Sequence, residues 1–198
     1  MQAFHNDKKI QDKYLGRVRA HAKADEIIKG QHWQDGKGCA VGCTIHSGNH
    51  LAYETELGIP QWLAKLEDRI FDGLPNEMAK EFPIEFIEAI NIGADLNKIK
   101  IPMLIFIVES ALEKTNNVEA LSVIDGVLIS LRRDVLDITK LREAHAIDAA
   151  AAAALAAAAA AAGAVTHAAA AAIAAGARED EYKKFADKLL QLIRGCNG

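Results

Sequence analysis

The chain has 198 residues and a net charge of −4, with 25% charged and 6% aromatic residues. That length suits one ordinary domain, or a domain and an extension. The charge lacks the basic footprint of a nucleic-acid binder, and the 51% hydrophobic share is inflated by alanine.

Residues 7–29 read as a helix, because Ile10, Tyr14, Val18, His21, Asp25 and Ile28 recur at three- and four-residue steps. Asn6 or Asp7 can cap its start and Gly30 can end it. His21 and Asp25 interrupt the apolar stripe one turn apart, close enough to touch. The basic residues of this helix are interspersed with acids and carry no aromatic partners, which marks a solvated face.

Residues 30–49 contain Gly30, Gly36, Gly38, Gly42 and Gly48 and predict loops and short turns. A short helix follows at about 50–57, closed by Gly58. Pro60 opens a helix that Gly73 closes, with Leu63, Leu66 and Ile70 inward. Glu67 and Asp68 are expected on its solvated side. Pro83 opens the next helix and separates it from a short one at 76–82.

The apolar run after Ile101-Pro102 reads as a helix buried on most sides, and residues 118–136 as another, with Leu121, Leu128 and Leu131 on one side. From Ala144 to Ala177 the chain is nearly pure alanine, the strongest helix former. A membrane span there is disfavoured, because Leu155, Val165 and Ile173 are its only strongly inserting residues. Packing on the domain, or self-association into a homo-oligomer, is the expectation. A final amphipathic helix at 180–194 turns Phe185, Leu189 and Ile193 to one face. No alternating strand pattern is found. The fold expected is all-α, with a helical domain over 1–143 and the alanine-rich and terminal helices over 144–198 packed on it.

Chemistry is expected in residues 36–50, Gly-Lys-Gly-Cys-Ala-Val-Gly-Cys-Thr-Ile-His-Ser-Gly-Asn-His. Cys39, Cys43, His46 and His50 are soft and borderline donors of the kind zinc and iron take. Their spacing does not match a zinc finger, and in a single helix of 11 residues the four would spread over about 16 Å. The first three positions resemble the three-cysteine signature of iron–sulfur radical enzymes, but His46 stands third and the strand-rich barrel is missing. A thiol enzyme is the second reading: Cys39 as nucleophile, with His21, His46 or His50 as base, oriented by Asp25 or Glu54. The bland reading makes the thiols small buried hydrophobes, Trp33 a core residue, and the protein a non-catalytic interaction module. Gly36-Lys37-Gly38 has no dinucleotide or P-loop continuation. Three cysteines and an N-terminus without an apolar export segment lead to the expectation of a reducing cytoplasm.

Gly38-Cys39-Ala40-Val41-Gly42-Cys43 with His46 and His50, Leu57-Gly58-Ile59-Pro60, Leu66-Glu67-Asp68, Gly73-Leu74-Pro75, Gly93-Ala94-Asp95-Leu96, Ala186-Asp187-Lys188-Leu189-Leu190 and the alanine-rich tail together resemble a set of bacterial and phage proteins without an assigned activity. The resemblance spans most of the chain and implies a prokaryotic, cytoplasmic protein. It carries over no catalytic residue.

Overall fold

The computed structural model describes residues 1–112, 125, 128–129, 131–132 and 178–196. The fold is predominantly α-helical, as expected from the sequence. It divides into two compact units, residues 1–100 with 178–198, and residues 101–177. The terminal helix therefore belongs to the same unit as residues 1–100, and the expected 143/144 boundary lies outside the described residues.

In the first unit, α1 spans Lys8–Lys23, and the Asp7 side chain caps it by accepting the Lys9 N–H at 2.8 Å. The helix ends well before Gly30, because Asp25 adopts φ 56° and turns the chain away. A parallel bridge from Ile27 to Gly38 follows. Next comes an antiparallel hairpin, β1 Trp33–Gln34 and β2 Lys37–Gly38. This hairpin corrects the expectation of no strands. Its signal is Asp35-Gly36, both at positive φ (52° and 82°), the pair that a two-residue hairpin turn needs.

Helix α2 is short, Ala40–Ile45, with every residue buried. A π-helical turn, Tyr53–Leu57, closes on Gly58 at φ 64°. Helix α3, Gln61–Gly73, begins just after Pro60. Helix α4, Asn76–Ala89, runs continuously through Pro83. The expected break at Pro83 does not occur, because Phe82, Pro83, Phe86 and Ile87 are all buried and hold the helix together across the missing N–H. A 3-10 turn, Leu96–Ile99, leads out of this run.

The terminal helix, α6 (Arg178–Arg194), packs on α3 and α4 through Phe185, Leu189 and Ile193, the face its periodicity predicts. Helix α1 packs on α2 and α4, and α2 also packs on α3. Tyr53, Phe4, Phe71, Phe82 and Phe86 fill the centre with no more than 1% exposure. Each such side chain contributes about 1.5–3 kcal/mol by leaving water.

Helix α5 (Lys100–Leu112), which from Ile101 on belongs to the second unit, carries the apolar run, with Met103, Ile107 and Val108 buried. Asp125, Leu128, Ile129, Leu131 and Arg132 are helical and Leu128 is buried. The alanine-rich segment and its expected self-association lie outside the described residues. No helix among those described is long and apolar enough to cross a membrane.

Candidate functional site

The hairpin and α2 are locked together by glycine. A Cβ on Gly38 would stand 2.2 Å from the His32 carbonyl oxygen, and one on Gly42 would stand 1.6 Å from it. Gly48 adds room on the His32 side chain itself, 3.1 Å from its Cβ. Two glycines of the motif, Gly38 and Gly42, therefore seat the His32 backbone against α2, and the third leaves room for its side chain. Cys39 N–H donates to the carbonyls of Gln31 (2.7 Å) and His32 (3.2 Å), which completes the join. His32, at the bend before β1, and Trp33, the first residue of β1, enter two different clusters.

The first cluster is His32, Cys39 and Asp68. One donor atom from each lies within 4.8 Å of the others, and no other such Cys/His/carboxylate group occurs among the described residues. Cys39 Sγ is 3.8 Å from His32 Nδ1, which is 3.6 Å from Asp68 Oδ2. His50 Nε2–H donates to the same Asp68 oxygen at 3.2 Å. Cys39 caps α2 and its sulfur accepts the Gly42 N–H at 3.4 Å. Cys39 and Asp68 are buried and His32 is exposed, so the cluster opens to solvent on the hairpin side. Burial first, and then the Asp68 carboxylate, pushes the Cys39 thiol far above its usual range.

Glu67 lies beside Asp68 and is wholly buried; burial and the Asp68 charge raise its pKa well above the carboxylate range. The Tyr53 hydroxyl is its electrostatic neighbour, yet neither group completes a hydrogen bond of good geometry, and Asp68 Oδ1 has no partner either. The expectation that Glu67 and Asp68 are solvated is corrected here. Leu63, Ala64, Glu67, Asp68 and Phe71 follow the three-and-four rhythm of one buried face of α3.

The second cluster is built on His21. Its Nδ1–H donates to Glu26 Oε2 at 2.6 Å, and its Nε2 is 2.8 Å from His46 Nε2. His46 is the left-handed C-cap of α2, at φ 54°, and its ring stacks on Trp33 at 4.6 Å.

The four expected ligands therefore divide. Cys39 and His50 join the first cluster and His46 the second, at the other end of α2. Cys43 belongs to neither. Its buried Sγ–H donates to the backbone carbonyls of Gly38 (3.3 Å) and Glu26 (3.6 Å), and burial raises the thiol to about 12. The thiol-enzyme constellation is redistributed as well. His21 meets Glu26 because Asp25 has left the helix and pairs with Lys80 at 2.6 Å. Glu54 accepts the Gln61 N–H and caps α3. His32, Asp68 and Glu26 are the residues the sequence reading missed.

Comparison with known proteins adds no assignment. No family model, no curated protein and no solved structure matches this chain. Its function has to be read from the two clusters.

Proposed function

We propose that this protein binds a divalent transition-metal ion, zinc being favoured by the donor set, through His32 Nδ1, Cys39 Sγ and Asp68 Oδ2. The separations support this reading. For bonds of ~2.0–2.3 Å the edges of a tetrahedral zinc site measure about 3.3–3.6 Å. The Cys39–His32 and His32–Asp68 separations, 3.8 and 3.6 Å, lie near those edges, and the second is long for an N–H···O hydrogen bond.

Charge supports it too. A thiolate at Cys39 and a carboxylate at Asp68 together neutralise a doubly charged cation, which offsets the cost of burying them. Without a cation the thiol stays protonated, which disfavours a free Cys39 nucleophile. His50 is a positioning residue that holds the Asp68 carboxylate in orientation. Three protein donors leave a fourth position for water or a small ligand, as in catalytic zinc sites and unlike closed structural ones.

The test is elemental analysis of untagged protein purified without chelators, with Cys39→Ser, Asp68→Asn and Cys196→Ser variants. At least one zinc or iron per chain is expected in the wild type and in Cys196→Ser, and about one equivalent less in the other two. Folding of each variant is checked by circular dichroism. A metal-free wild type, or a metal content undiminished from wild type in folded Cys39→Ser and Asp68→Asn, overturns the reading.

A further inference from the structure

We infer that the chain carries a second transition-metal site, in which His21 Nε2 and His46 Nε2 are the ligands and Glu26 orients His21 from behind.

Several independent features converge on it. The Glu26 carboxylate can only accept, so the hydrogen between it and His21 resides on Nδ1. The lone pair of neutral His21 is therefore on Nε2, aimed at His46. A carboxylate fixing the far nitrogen of a histidine is the outer-shell arrangement that metal-ligating histidines use. The two Nε2 atoms are 2.8 Å apart, joined by a single shared proton. Replacing that proton by a cation requires them to open to about 3.3 Å. His46 is exposed and can supply that half-ångström, while His21 is largely buried and held by Glu26.

His46 also occupies its position at a backbone cost. It takes the left-handed C-cap of α2, a place normally given to glycine. Its ring is held in direction by Trp33, with planes 11° apart. Arg17 opposes a cation here, while Glu26 and Glu56 favour one. Two imidazoles without a thiolate suit zinc, nickel or copper, at lower affinity than the Cys39 cluster.

Trp33 provides the reporter. In a Trp62→Phe background, which leaves Trp33 as the single tryptophan, Ni2+ is titrated into the full chain and indole emission is followed. Saturable quenching is expected, weakened at least tenfold in His46→Ala and in His21→Ala and about 10–100-fold in Glu26→Gln. Each variant is also carried in the Cys39→Ser background. Quenching that persists in Cys39→Ser but disappears in His46→Ala supports a site separate from the one proposed above, whether or not that first site holds metal. Absent quenching, or quenching that survives His46→Ala and is lost in His32→Ala or Cys39→Ser, overturns the second site.

Discussion

The carbonyl oxygen of His32 occupies the space that a side chain on Gly42 would fill: a Cβ there would stand 1.6 Å away. Both clusters depend on this contact. It seats the hairpin on α2, and from that seat His32 reaches Cys39 and Asp68 while Trp33 reaches His46. Gly42→Ala is therefore expected to cost about 3 kcal/mol or more, the upper end for overpacking, because the obstacle is backbone and cannot rotate away. Gly16 is the control. It lies on the exposed side of α1 with nothing within 4 Å of its Cβ position, so Gly16→Ala is expected to stabilise by about 0.5–1 kcal/mol. Urea denaturation of both variants measures the contrast.

Gly73 tests the seating of the terminal helix. A Cβ there would meet the Tyr182 ring at 2.1 Å. Gly73→Ala should destabilise the first unit by about 1–3 kcal/mol, less than Gly42→Ala, because a side chain can shift where a carbonyl cannot. Gly73→Ala combined with Tyr182→Ala relieves the clash, so a double-mutant cycle should return a non-additive coupling.

The Tyr14 hydroxyl donates to Glu56, and burial followed by that carboxylate raises the phenol to about 12. A raised folded value means that the native state holds its proton longer than the unfolded chain does. The stabilisation is complete below pH 10, the unfolded value, and is lost as the pH rises through about 12. Tyr14→Phe should lower stability at pH 8 by about 2 kcal/mol and flatten part of the decline between pH 10 and 12. Tyr53, raised by burial in the same direction, keeps the remainder. Denaturation midpoints across that range decide it.

Cys39, Cys43 and Cys196 are all buried, and burial raises every one of the three thiols. Ellman's reagent should leave the native protein nearly unreacted at pH 7.5 over a time in which the unfolded chain releases three equivalents. Rapid reaction of one thiol in the native state would be traced by single Cys→Ser variants, and its assignment to Cys39 would favour the nucleophile over the ligand.

Much of the architecture was legible in local sequence. The 3.6-residue rhythm gave α1, α3 and α6, the long apolar run after Pro102 gave α5, and the Pro60/Gly73 pair marked the limits of α3. Two further features have local signals. Asp35-Gly36 announces a hairpin, and Glu67 and Asp68 fall on the buried rhythm of α3, where acidity suggested solvent instead.

By itself the sequence determined that the chain is helical, that its one glycine-dense segment lies at 30–49, and that Cys39 and His50 stand in or beside it. These follow from short-range constraints: propensity, capping, and the room that glycine makes. Which side chains meet was decided only by tertiary structure. Asp68 reaches Cys39 from 29 positions away because α3 packs on α2. His21 meets His46 because α1 packs on the same short helix, and Asp25 loses its place to Glu26 because one left-handed residue ends α1 early. A ligand set is a convergence of atoms in space, and spacing along a chain fixes it only within a single regular element.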